Sequence, residues 1–246
     1  MSDKRTHRGR HPDDTRLFAT EKHPTLRTAV AEYSWLLSRG YAEVSALKLV
    51  GDHHRLTARQ RTAIMRSACS DQAWRHRRKT MTTLTDGDRR PLGIDGYNLL
   101  ITVESALSDG LILIGRDDCY RDLASVHGTY RKVEETIPAV KLIVGYLAFW
   151  NIARIDWYLD QPVSNSGRLK VLMAELLEAD AVQAGWNIEL VPNPDRVLAD
   201  YAGVVATTDS VILDRCSAWV NLAAEIIKAG VPDAWKVDLG PDDGLR

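Results

Sequence analysis

Three aspartates, each closing a short apolar run, are the residues best placed to do chemistry in this chain. Gly93-Ile94 leads to Asp95, Trp157-Tyr158-Leu159 to Asp160, and Val204-Val205-Ala206-Thr207-Thr208 to Asp209. Such runs read as buried parallel strands, and groups at the carboxyl ends of parallel strands converge on one crevice. Carboxylates gathered there repel one another, and a hard divalent cation relieves the repulsion. The chemistry expected is metal-assisted hydrolysis of a phosphodiester. Mg2+ or Mn2+ held by Asp95, Asp160 and Asp209 would lower the pKa of a bound water and neutralise charge in the transition state. Singly, each acid has a plainer use as a helix cap. Three of them at strand ends of one sheet argue for a site.

The neighbours of these acids extend the pattern. Gly96 allows a tight turn after the first strand, and Asn98, in the following helical turn, offers both a donor and an acceptor. Asp214, five residues beyond Asp209, would share a helical face with Ser210 and Val211 and reach the same pocket. After Asp160 comes Gln161-Pro162-Val163-Ser164-Asn165-Ser166-Gly167-Arg168. Ser164, Asn165 and Arg168 at a helix N-terminus suit a phosphate cradle, or else an ordinary capped turn.

The elements that must hold these residues alternate from Leu92 onward. Strands are expected near 92–95, 111–115, 154–159, 186–191 and 203–207, with helices near 98–108, 133–150, 167–183 and 217–229. Alternation of this kind implies an α/β fold, a mostly parallel sheet flanked by helices. The segment Leu111–Ile114 could instead be one arm of an edge hairpin. Before it, a helix should start near Pro24 and stop at Gly40, a second should span Ser45–Val50, and a third should follow the capping box Thr57-Ala58-Arg59-Gln60 to about Ser70. Three short helices joined by tight turns suggest a helix-turn-helix arrangement. The expected division is a flexible basic arm over 1–22, a small all-helical basic domain over 23–90, and the α/β metal-site domain over 91–246. The tail from Asp238 should be frayed.

Charge is split along the chain. Residues 1–90 hold 19 Lys+Arg against 10 Asp+Glu, leaving 13 of the 32 bases and 23 of the 33 acids for the rest. Six of seven histidines also fall in the first part. Arg59, Arg61 and Arg66 on the third helix, with Trp74, Arg77, Arg78 and Lys79 following closely, suit phosphate contacts and base stacking, and the chain from Arg77 to Pro91 reads as an exposed connection. Nucleic acid is therefore the expected partner. The plainer alternative is that the two halves neutralise each other across an internal interface.

Ile94-Asp95-Gly96-Tyr97-Asn98, the strand ending at Asp160, and Ala206-Thr207-Thr208-Asp209 resemble the acidic motifs of PIN-like nucleases, particularly the NYN branch, over roughly residues 92–230. The whole chain is also similar to an uncharacterised prokaryotic family in which a helical N-terminal domain joins such a core. The resemblance implies that Asp95, Asp160 and Asp209 bind the metal, with Asn98 and Asp214 in support, and that the substrate is RNA. The long insertion between Asn98 and Asp160 departs from the pattern. Its Glu104, Asp117, Asp118, Asp122 or His127 could replace or supplement a ligand, and Arg121 lies among them.

The chain of 246 residues, 45% hydrophobic and 26% charged, is long enough for a substantial core. Three scattered cysteines form no disulfide framework, and the N-terminus has no secretory signal, so a reducing cytoplasmic setting is expected. The nearly apolar stretch Ala139–Ala153 is too short to cross a bilayer. There is no GxxxxGK[ST] loop, no GxGxxG after the first strand and no GxSxG elbow, which disfavours P-loop, dinucleotide and α/β-hydrolase chemistry. The competing reading is a nucleic-acid-binding regulator with a vestigial or metal-sensing site. In a third, the helical part caps the acidic core and mediates assembly. A homodimer would complete a longer basic groove.

Overall fold

The computed structural model of the chain describes residues 7–124, 130–179 and 185–240. The N-terminal part consists of α1 (Asp14–Leu17), a 3-10 turn (Thr20–Lys22), α2 (His23–Ser38), α3 (Glu43–His53), α4 (Ala58–Ser67) and α5 (Asp71–Thr80). Pro24 opens α2, and the Gly40 and Tyr41 amides close it by bonding the Leu37 and Leu36 carbonyls. Gly40 holds φ +78°, the left-handed geometry that this helix ending requires. Thr57 and Gln60 form the expected capping box at the start of α4.

Beyond this part the chain runs β1 (Leu92–Asp95), α6 (Gly96–Leu107), β2 (Ile112–Ile114), β3 (Tyr120–Asp122), α7 (Thr136–Phe149), β4 (Ile155–Asp160), α8 (Ser166–Ala179), β5 (Trp186–Val191), α9 (Pro194–Ala199), β6 (Val204–Ala206), α10 (Ser210–Leu213), β7 (Trp219–Val220), α11 (Leu222–Gly230) and β8 (Lys236–Asp238). Five strands form an all-parallel sheet in the order β5-β4-β1-β6-β7. Alternate strand residues enter different cores. Leu92, Ile94, Trp157 and Leu159 pack with α6, α7, α8 and α11, whereas Tyr158 and Val205 meet α9 and α10. The chain leaves β1 towards β4 and β5, then returns to build β6 and β7 on the other side. The topological switch point therefore lies between β1 and β6.

A second sheet, β3-β2-β8, pairs β2 antiparallel with β3 and parallel with β8. The segment Leu111–Ile114 is thus a hairpin arm outside the main sheet. One face of this small sheet joins the N-terminal helices: Leu111, Leu113, Leu123 and Val237 share a core with Phe18, Leu26, Val30 and Ile64.

Three expectations are corrected here. Within the expected arm 1–22, residues 7–22 are docked, with Leu17 and Phe18 buried and Arg8 and Arg10 paired to Glu104 and Asp109. Of the exposed connection expected from Arg77 to Pro91, the first four residues are instead the end of helix α5, and Arg77 is buried. The tail is structured through Gly240, with Asp238 in β8 and Leu239 buried. His127 and residues 180–183 of the third expected core helix lie outside the described residues. Among the described residues, no helix is long and apolar enough to cross a membrane.

Candidate functional site at the carboxyl edge of the sheet

Asp95 ends β1 and is the N-cap of α6; its side chain accepts from the Asn98 amide. The Thr207 hydroxyl donates to Asp95 Oδ2 at 2.8 Å and accepts from the Asp209 amide at 3.0 Å. Asn98 Oδ1 accepts from both the amide and the hydroxyl of Thr208, at 2.9 and 3.0 Å. Arg121 Nε donates to the Thr208 carbonyl at 2.8 Å. The loop after β6 is therefore fixed from three sides, and Asp209 projects from it half-buried, its Oδ1 capping α10 through the Val211 amide. Gly96 serves by close approach rather than by an unusual turn. A Cβ there would lie 2.5 Å from Leu159 Cδ2 and 2.8 Å from the Tyr158 carbonyl oxygen.

Register brings the acids together. Asp95 pairs with Tyr158 across β1 and β4, two residues before Asp160, and Ile94 pairs with Ala206, three residues before Asp209. A fourth acid joins them. Asp195, in the first turn of α9 directly after β5, is capped into place by Asn193 and Pro194. Burial, followed by the charges of Asp209 and Asp195, pushes the Asp95 carboxyl up to about 7 despite the Thr207 hydrogen bond. Asp160 is raised by burial and by Asp195; Asp195, exposed overall, is raised by its desolvated portion and by Asp209. Among the described residues, none of the four carboxylates forms an ion pair with Lys, Arg or His. Sequence reasoning missed Asp195. Its signal was Asn193-Pro194-Asp195, a cap, a first-turn proline and a first-turn acid immediately after a strand.

Four mutually repelling, unpaired oxygen donors fit a hard divalent cation. They do not close on one point: no three of them bring ligand oxygens within 4.8 Å of one another. Mg2+ characteristically keeps several waters and few carboxylates, so a spread set of this kind suits it.

Beside Asp209 opens a cleft of about 580 Å3 between the helical part and the α/β part. Its walls include Tyr41 and Met65 on one side and Asn98, Ser210 and Asp214 on the other. Asp95 and Asp160 lie outside this lining, as do Ser164, Asn165 and Arg168. Asn165 is stitched by its Nδ2 to the Tyr130 carbonyl, and the Ser164 carbonyl accepts from the Tyr130 amide. Arg168 is exposed on the first turn of α8.

The arginines expected to meet nucleic acid are mostly engaged within the protein. Arg59 binds Asp14, Arg61 binds Asp52 and the Leu56 carbonyl, and Arg66 binds the Asp122 and Ala124 carbonyls. Arg77 bridges Asp117 and Asp214, both at 2.6 Å, so Asp214 reaches the cleft with its charge already countered. Arg78 lies over the Trp74 ring. The alternative ligands are likewise satisfied. Glu104 is bonded by Arg8, Tyr130 and Thr136, and Asp122 by Thr102 and the Ala124 amide. Burial would raise Asp117, but Arg121 and Arg77 hold it well below the usual carboxylate range. Asp118 takes a left-handed turn at φ +60° and offers its carbonyl to Asn221.

Residues 85–225, more than half of the chain, match the family described as Domain of unknown function (DUF5616). The chain belongs to the DUF5616 family. The DUF5616 match contains all four acids, Asn98 and the Thr207-Thr208 loop. Residues 25–80 match the Protein of unknown function (DUF434), a stretch covering nearly all of α2 to α5. The chain is also similar to the Uncharacterized protein MJ0935 of Methanocaldococcus jannaschii, 32% identical over 206 residues that cover 83% of this chain and 97% of that protein. No solved structure matches the chain.

Proposed function

We propose that this protein is a metal-dependent phosphodiesterase acting on nucleic acid, with RNA as the substrate. The observation that carries the reading is that Asp95, Asp160, Asp195 and Asp209 all lie at the carboxyl edge of a parallel sheet with no ion pair among the described residues, Asp209 lining an open cleft. The acidic motifs also resemble those of PIN-like nucleases of the NYN branch, and that resemblance is the ground for RNA. Mg2+ or Mn2+ bound there would supply a water of lowered pKa and a counter-charge for the phosphate oxygens. Asp95 and Asp160, with Asp209, would hold it, and Asp195 adds a fourth oxygen donor. Asn98 is a positioning residue: it fixes the Thr208 backbone, and its Nδ2 has no partner among the described residues and is available to a substrate oxygen. Arg168, exposed on the first turn of α8, would steady a phosphate.

The test is cleavage of 5′-labelled single-stranded RNA and DNA with Mn2+, with and without EDTA. Metal-dependent cutting of RNA is expected; RNA and DNA both left intact in Mn2+ and in Mg2+ would refute the proposal.

A further inference from the structure

Away from the acidic edge, one cluster of ligating side chains is assembled from two helices. Glu32 on α2 faces His53 and His54 at the end of α3, and one ligand atom from each residue lies within 4.8 Å of the other two. Among the described residues, no other group of His, Cys, Asp or Glu is drawn together in this way. His54 Nε2 is 2.8 Å from Glu32 Oε2, and the two histidine rings meet edge to face with centroids 4.7 Å apart.

We propose that Glu32, His53 and His54 form a transition-metal site, zinc being the ion that suits it best. Two imidazole nitrogens and one carboxylate oxygen are a donor set that zinc accepts, with a fourth position left for water or a small ligand. Imidazole favours zinc, copper or nickel over magnesium, which separates this site chemically from the acidic edge. Tetrahedral ligands about 2.0–2.1 Å from zinc lie roughly 3.3 Å apart, so closure asks for a contraction of about 1.5 Å at most. Side-chain rotation can supply that.

The backbone is held ready. The His54 amide bonds the Val50 carbonyl, Arg55 turns left-handed at φ +52°, and the Leu56 amide returns to the Gly51 carbonyl. Leu56 is buried and anchors the turn. The carbonyl end of α3 also favours a cation. Glu32 and His53 line a groove of about 640 Å3 beside the exposed Trp35 and Leu49, which leaves room at the fourth position. A simple ion pair between α2 and α3 would need only Glu32 and His54. The His53 imidazole makes no hydrogen bond among the described residues, so its place in the cluster is what distinguishes the two readings.

The experiment is calorimetric titration of the full chain with zinc in excess Mg2+, for wild type, His53→Ala, Glu32→Gln and Asp209→Asn. One ion per chain is expected, weakened about tenfold or more in the first two variants and unchanged in the third. His53 is exposed, so its variant should fold as wild type does, which circular dichroism checks. Zinc-edge absorption should show nitrogen and oxygen neighbours without sulfur. No zinc uptake, uptake indifferent to His53→Ala, a sulfur ligand, or loss in Asp209→Asn would each overturn the assignment.

Discussion

Asp95 is the residue at which folding and chemistry pull in opposite directions. Its carboxyl ionises at the ordinary 3.8 in the unfolded chain and at about 7 in the fold. Between those values the folded state carries the extra proton, so without a divalent ion stability falls as pH rises through that window. The full effect is about 4 kcal/mol, at about 1.4 kcal/mol per pKa unit. Asp95→Asn keeps the shape, its amide oxygen accepting from Thr207 while only the long 3.4 Å bond from the Asn98 amide is lost. At pH 8 in EDTA the variant should therefore melt several degrees above wild type, at about 2–4 °C per kcal/mol. A melting temperature equal to or below wild type would mean that Asp95 is not under this load. Arg77 shows the opposite situation. It is buried, counters Asp117 and Asp214, and its carbonyl receives the Trp219 indole N–H. Arg77→Met leaves buried Asp117 with Arg121 alone, and should cost about 3 kcal/mol in urea unfolding. A loss under about 1 kcal/mol would place the weight of that network on Arg121.

At the scale of elements, Gly96 ties α6 to the sheet. Because a Cβ there would overlap Leu159 and the Tyr158 carbonyl, Gly96→Ala should push α6 off β4 and cost about 1–3 kcal/mol. An unchanged denaturation midpoint would show that β4 yields freely. Much of this level was legible in the sequence. Thr57 and Gln60 marked the start of α4, Gly40 the end of α2, and the apolar runs before Asp95, Asp160 and Asp209 the three inner strands. Those signals are local, so they survive without knowledge of the partner element. The misses depend on distant partners. Arg77-Arg78-Lys79 read as an exposed connection, because nothing in the run shows that Asp117 waits forty residues away to bury one of its charges. Strands β3, β7 and β8 hold only two or three residues each and exist through their neighbours. Asp195 belonged to a six-residue helix, too short for periodicity to announce.

For the molecule as a whole, several charges of opposite sign meet between its two parts. Arg8 with Glu104, Arg66 with Asp122, Arg77 with Asp117 and Asp214, and Arg116 with Asp71 cross from the helical part to the α/β part. Apolar contacts reinforce them, since Leu111, Leu113, Leu123, Val237 and Leu239 are covered in the core that includes the helices. Residues 91–246 expressed alone should therefore expose that face and aggregate, as light scattering would report. A monomeric, cooperatively folding fragment would show that the helical part is dispensable to the core. The same junction forms the cleft beside Asp209. Single-turnover cleavage of labelled RNA in Mn2+ should be compared for wild type, Asp95→Asn, Asp160→Asn, Asp195→Asn and Asp209→Asn. The account predicts that Asp95→Asn, Asp160→Asn and Asp209→Asn each lose about a hundredfold or more, with a smaller loss for the exposed Asp195→Asn. Cleavage at the wild-type rate in Asp95→Asn or Asp209→Asn would contradict it.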